Sequence, residues 1–153
     1  MMKIRLLSFF LFINAMAFSQ NQLTPVSWSV SYIELPNNEA ELIFKAKIDP
    51  KWHIYSQRPT DAGPIPTSFS ITPNGNFELI GKVVEMDAHE EFVAAFDAKV
   101  FVFEKEAVFK QKIKRKVKAG FTIPATVEYM TCNDRQCLPP KTVDVAVTLA
   151  GKK

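Results

Sequence analysis

The chemistry available to this chain rests first on Cys132 and Cys137, its only 2 cysteines, both in Tyr129-Met-Thr-Cys-Asn-Asp-Arg-Gln-Cys-Leu-Pro-Pro140. The C-x4-C spacing admits three uses: a structural disulfide, a redox-active dithiol, or a pair of metal ligands. A disulfide needs the loop to fold back until the alpha carbons lie within about 7 Å. Asn133-Asp134 supplies side chains suited to such a turn. Pro139 and Pro140 forbid a helix and impose extended geometry after Cys137. The expectation is a pair held between two strands with its sulfurs near the surface. As a staple, a ring this small would contribute only roughly 2 kcal/mol by the chain-entropy model.

Other chemistries find little support. No G-x-S-x-G, H-E-x-x-H or phosphate-binding glycine loop is present, and glycine numbers only 5 residues. His53 and His89 are the only histidines. With the cysteines they would make a Cys2His2 set, but the spacing fits no zinc finger and an oxidised pair offers no thiolate. No metal and no cofactor is therefore expected. His53, between Trp52 and Ile54, suits a packed or hydrogen-bonded ring better than a ligand.

The first residues set the redox context. Lys3 and Arg5 precede the apolar run from Leu6 to Ala17, and Ala-Phe-Ser19 or Ala15-Met-Ala17 offers small residues for cleavage. Residues 1–19 are expected to be a secretory signal, leaving 20–153 as a single exported domain in the periplasm. No later stretch reaches the ~20 apolar residues of a membrane helix. Removing residues 1–19 from 153 leaves 134 and, with Lys3 and Arg5 gone, takes the formal charge from +3 to +1. A nearly neutral mature chain excludes an electrostatic case for nucleic acid or an anionic membrane. In an oxidising compartment two cysteines find each other.

The scaffold for the pair is written in a period of two. Val26, Trp28, Val30 and Tyr32 alternate with serines; Leu42, Phe44, Ala46 and Ile48 repeat the pattern, with Pro36-Asn-Asn38 as the turn of a hairpin. Residues 58–66 are rich in turn formers and read as loop. Strands follow at 67–72 and, bent or paired, at 77–84. Glu85 to Asp97 breaks the alternation and is expected to form a helical turn or an ordered loop. Val100 to Glu104 and Ala107 to Val117 are expected to pair with each other, the row Lys110, Lys112, Lys114 and Lys116 guarding a sheet edge. Strands ending at Tyr129 and running from Val143 to Leu149 flank the cysteine loop. Seven to nine short strands without an amphipathic helix predict an all-β, immunoglobulin-like antiparallel β-sandwich.

Lys51-Trp-His-Ile-Tyr-Ser, Gly63-Pro-Ile-Pro-Thr, Phe101-Val-Phe, Val108-Phe-Lys-Gln and the cysteine segment together resemble the N-terminal periplasmic domain family of the thiol:disulfide interchange protein DsbD, from about Leu23 to Leu149. The resemblance implies a dithiol–disulfide pair that takes electrons from a thioredoxin-like domain of a membrane reductase and passes them to thioredoxin-fold proteins such as disulfide isomerases. The chain would then be a component of a protein-disulfide reductase system. Carried over by motif, Cys137 forms the mixed disulfide and Cys132 resolves it, which agrees with the order of thiol exchange. Arg135 favours a thiolate at Cys137 and Asp134 opposes it. The family's cap loop, in which an aromatic ring shields the disulfide, corresponds to Phe92-Val-Ala-Ala-Phe-Asp97, with Phe96 favoured as the cap and Phe92 next. His53, Tyr55 and Tyr129 are expected to line the site. Two departures stand out: the acidic pair Glu90-Glu91 precedes Phe92 rather than Phe96, and the cysteine spacing is one residue shorter than in well-studied members. Only Ala-Gly-Lys-Lys follows Leu149, so electrons are expected to arrive in trans. The competing class is a secreted binding module in which Cys132-Cys137 is only a loop staple.

Overall fold

A computed structural model of the chain describes residues 23–60 and 63–152; the expected signal segment at 1–19 lies outside them. Eleven strands follow in order: β1 (Val26–Glu34), β2 (Glu39–Ile48), β3 (His53–Tyr55), β4 (Ser68–Ile71), β5 (Phe77–Met86), β6 (His89–Val93), β7 (Ala98–Glu104), β8 (Glu106–Arg115), β9 (Phe121–Tyr129), β10 (Thr131–Cys132) and β11 (Lys141–Leu149). All pairings are antiparallel, in three sheets ordered β1-β2-β8-β5, β11-β9-β4 and β10-β3-β7-β6. The fold is an all-β, immunoglobulin-like sandwich.

The first two sheets bury their alternate residues against each other. Leu42, Phe44, Phe109 and Ile113 from one meet Ile123, Val127 and Leu149 from the other in a shared core. Trp28 and Phe69 tie the layers, Trp28 lying 5.5 Å from Tyr129 and Phe69 4.9 Å from Phe109 between ring centroids. Aromatic pairs at such separations add about 0.5–1.5 kcal/mol beyond the area they bury.

The third sheet carries the cysteines, and it departs from the expected chain path in two ways. First, β7 and β8 do not pair: β7 joins β3 and β6, while β8 lies between β2 and β5. The turn at Lys105, with φ 63°, sends the chain from one sheet to another. The lysines of β8 are therefore on a central strand and guard no edge. Its inward positions include Gln111 and Arg115, both buried; Gln111 Nε2 donates to the Ile80 carbonyl (3.1 Å), and Arg115 pairs with Glu34. Second, Glu85–Asp97 contains no helical turn. It holds the end of β5, all of β6 and a tight turn at residues 94–97, in which the Phe96 N–H donates to the Val93 carbonyl (3.0 Å) and Asp97 takes a φ of 50°. Alternation is weak here because β6 is an edge strand with one open side.

Candidate functional site

Three elements bring the cysteines together with their neighbours. β9 ends at Tyr129, and β10 then pairs with β3 in the register Thr131↔Ile54 and Cys132↔His53. Thr131 Oγ1 donates to the His53 carbonyl (2.8 Å), and Thr67 Oγ1 donates to that of Tyr55, fixing the short β3 from both sides. Beyond Cys132 the chain reverses over Asn133–Gln136. The Asn133 side-chain oxygen accepts from the N–H groups of Arg135 and Gln136, each at 2.9 Å, and the Asn133 N–H donates to the Gln136 carbonyl at 2.9 Å. This is the Asx-type turn that the Asn-Asp pair foreshadows. It sets the alpha carbons of Cys132 and Cys137 4.0 Å apart, and their sulfurs form a disulfide.

The two sulfur-bearing residues differ in access. Cys132 is 1% exposed, packed with Tyr55, Val93, Val100 and Val102 in a small cluster separate from the main core, whereas Cys137 is half-buried at its margin. The expectation of two sulfurs near the surface holds only for Cys137. Cys132 is enclosed because β10 is drawn into the sheet by β3 instead of remaining loop.

Period-two geometry sorts the remaining residues by face. With the registers His53↔Glu104 and Tyr55↔Val102 on β7, and His89↔Val102 and Glu91↔Val100 on β6, one face carries Cys132, His53 and Glu104 in a row across three strands, with Tyr55, His89 and Glu91 in the next rows. Phe92 pairs with Lys99 on the opposite face and is 57% exposed. Phe96 comes back from the turn to the cysteine face, its ring edge-on to Tyr55 at 6.0 Å, and joins the cluster that holds both cysteines.

Between the β6–β7 turn and the cysteine loop lies an open cleft of about 500 Å³, lined among others by His53, Glu91, Phe92, Asp134, Arg135 and Cys137. His53 Nε2 and the Tyr55 hydroxyl are 3.0 Å apart. Burial holds the His53 imidazole below its ordinary pKa, against the pull of Glu91, Glu104 and Asp134, with His89 adding to the depression. Burial, reinforced by Glu91, pushes the Tyr55 phenol well above its ordinary value, so Tyr55 keeps its proton. Glu91 Oε2 is enclosed with no hydrogen-bond partner among the described residues. Tyr129 does not face this cleft. It belongs to the main core beside Trp28, and burial raises its phenol.

Sequence reasoning placed Asp134 and Arg135 on the exposed loop, where they are. It missed Glu104 and Thr131. The signal for Glu104 lay in the alternation of Val100, Val102 and Glu104, readable only once the partner strand was known to be β3.

An immunoglobulin-like domain whose single disulfide has one buried cysteine and one bordering a cleft has a form suited to thiol–disulfide exchange. The N-terminal domain family of the thiol:disulfide interchange protein DsbD matches residues 20–149, and the chain belongs to that family. Among solved structures, the N-terminal periplasmic domain of ScsB from Proteus mirabilis is similar at a TM-score of 0.59 and 14% identity, over 86% of this chain and 48% of that one. The chain thus spans about half the length of that structure. The N-terminal domain of DsbD from Neisseria meningitidis, in its reduced form, gives a TM-score of 0.49 at 16% identity, over 81% of this chain and 86% of that one. Comparison with curated proteins finds no match. The matching family is that of the N-terminal domain of a thiol:disulfide interchange protein. The chain's only cysteines, Cys132 and Cys137, are the pair available for exchange.

Proposed function

We propose that this domain is an exported, periplasmic electron shuttle between thioredoxin-fold proteins, in which Cys137 attacks the partner's disulfide and Cys132 resolves the mixed disulfide. The observation that carries this reading is the difference in burial between the two bonded cysteines. A partner sulfur has a path to Cys137 through the cleft and none to Cys132. In the reducing direction the Cys137 thiolate forms a bond to one partner sulfur, and the other leaves as thiolate. Cys132 then attacks Cys137, the intramolecular disulfide forms, and the partner departs with both electrons. Re-reduction reverses these steps with a dithiol donor supplied in trans, such as the thioredoxin-like domain of a DsbD-type membrane reductase.

Phe96 is the ring that shields the pair at rest, since it packs on Tyr55 in the same cluster as both cysteines. Export rests on the basic and apolar residues before Gln20, and the ScsB relative is described as periplasmic. Among the described residues no helix is long and apolar enough to cross a membrane.

The test is electron transfer from the reduced domain to an oxidised thioredoxin-fold protein, followed by thiol alkylation and mass measurement, together with the reduction potential of the pair. Transfer and a potential above about −300 mV are expected. No transfer, with a potential below that value, would make the bond the loop staple of a binding module.

A further inference from the structure

Cys132 presents the exchange cycle with a problem of proton removal. A thiol attacks only as thiolate, and burial in an apolar cluster makes a thiol harder to ionise. When the mixed disulfide sits on Cys137, a partner covers the cleft, and the buried Cys132 must lose its proton without help from bulk water.

Its cross-strand neighbour is a base. Cys132 and His53 are direct partners in the β10–β3 ladder and point to the same face. Side chains so placed have β-carbons about 4.5–5.5 Å apart, within reach of a thiol-to-imidazole hydrogen bond. His53 also borders the cleft that Cys137 borders. We propose that His53 is the proton acceptor for Cys132 in the resolving step and the donor to it in the reverse direction. This rests on the exchange reading given above.

The Cys132 S–H bond breaks, its proton passes to His53 Nδ1, and the sulfur's electron pair forms the bond to Cys137 Sγ. The Cys137–partner S–S bond breaks, and its electron pair leaves on the partner sulfur. The imidazolium then gives up its proton to that thiolate or to water as the cleft opens. Tyr55 keeps the ring in place throughout. Its hydroxyl can accept from or donate to Nε2, so the 3.0 Å contact survives whichever tautomer is present.

The surroundings suit a base that is neutral at rest and tolerates charge briefly. Glu104 is the cross-strand partner of His53 on β7, and Glu91 of β6 and Asp134 of the loop add negative potential, while His89 of β6 opposes it. Burial outweighs these carboxylates and keeps the imidazole unprotonated near neutral pH. Glu91 is the rival base, since its enclosed Oε2 has no hydrogen-bond partner among the described residues, its neighbour His89 Nε2 lying 3.9 Å away. By register, however, it lies on β6, three strands from Cys132 in the order β10-β3-β7-β6.

The test uses the reduced full chain and the aromatic disulfide dithiobis(nitrobenzoate), which releases one coloured thiolate when Cys137 attacks and a second when Cys132 resolves. Stopped-flow traces from pH 5 to 8 separate the two phases. For the unaltered protein the second phase should level off as pH rises past the His53 pKa. In His53→Gln, which retains a hydrogen-bonding group for Tyr55 but cannot take the proton, that phase should slow by about 100-fold at pH 7, general acid–base catalysis contributing about 10²–10⁴. It should also rise tenfold per pH unit, following thiolate alone, with the first phase nearly unchanged. Added imidazole should restore part of the rate, and Glu91→Gln should keep the levelling profile with its midpoint moved to lower pH. A second phase in His53→Gln with the original rate and profile overturns the role of His53. Equal slowing of both phases without imidazole rescue also overturns it, because that marks a structural effect. Absence of a second phase in the unaltered protein overturns the exchange reading itself.

Discussion

Phe96 meets Tyr55 edge-on, ring centroids 6.0 Å apart and planes at 83°, and this contact holds the β6–β7 turn against the cluster that contains both cysteines. An aromatic pair contributes about 0.5–1.5 kcal/mol and a sulfur–aromatic contact about 0.3–1.5 kcal/mol. The closure is thus strong enough to persist and weak enough for a docking protein to open.

Phe96→Ala should therefore raise the rate at which the reduced, folded protein reacts with iodoacetamide. The loss of stability should be about 1–2 kcal/mol, below the roughly 3–5 kcal/mol of a fully buried phenylalanine. Phe92→Ala should change both quantities less, since Phe92 borders the cleft but is 57% exposed and pairs with Lys99 on the other face. Alkylation rates and chemical denaturation of both variants decide the matter. Faster labelling in Phe92→Ala alone would transfer the shielding role to Phe92.

The unequal burial of the cysteines gives a second expectation. Cys132→Ala should accumulate mixed disulfides with an oxidised thioredoxin-fold partner through Cys137, while Cys137→Ala accumulates few, because Cys132 is enclosed. Non-reducing electrophoresis reads the difference. Equal trapping by the two variants would reverse the assignment or abolish it. Both should stay folded, since a ring this small contributes roughly 2 kcal/mol.

What the sequence made legible follows from how local each signal is. Alternation in Val26–Tyr32, Leu42–Ile48, Ile123–Tyr129 and Val143–Leu149 identified four strands of the two sheets that share the main core, because each is long and buries one face. The turn at Asn133 was legible because its hydrogen bonds close within three residues. The minor sheet was not. β3 and β10 have only 3 and 2 residues, too short to show a period, and β6 is an edge. The pairing of Cys132 with His53, 79 positions earlier in the chain, and of His53 with Glu104 depends on which strands meet. The sequence resemblance singled out Phe92–Asp97 as the expected cap, but not the row of side chains beside the cysteines.

The Asn133 turn should also tune the redox pair. Its side-chain oxygen accepts two backbone N–H groups that would otherwise face water on an exposed loop. These bonds hold the chain reversal that keeps the two alpha carbons together. A net hydrogen bond contributes about 1 kcal/mol. For a two-electron couple 30 mV corresponds to about 1.4 kcal/mol. Asn133→Ala should loosen the closed loop and raise the reduction potential by roughly 20 mV, measured by equilibration with glutathione buffers. A lower potential, or no change, would show that the turn does not favour the oxidised form.

His53 should leave a signature in stability as well as in rate. Its pKa in the folded, oxidised protein lies below the ordinary histidine value of about 6.5, chiefly through burial. The unfolded chain therefore binds a proton at His53 more readily than the folded one between those two values. Where the unfolded state holds more protons, stability rises with pH. The contribution of His53 is thus constant above about pH 6.5, the unperturbed histidine value. It declines as pH falls toward the folded pKa, and levels off below it. Carboxylates titrate in the lower part of the same range, so the informative quantity is the difference between the unaltered protein and His53→Gln, both with the disulfide intact. Urea denaturation from pH 4.5 to 8 should give a flat difference above 6.5 and one that shifts against the unaltered protein on acidification. Glu91→Gln should steepen that loss, because it removes a charge that raises the His53 pKa. A difference independent of pH would mean that the imidazole titrates alike folded and unfolded, and that Glu91, Glu104 and Asp134 together cancel the effect of burial.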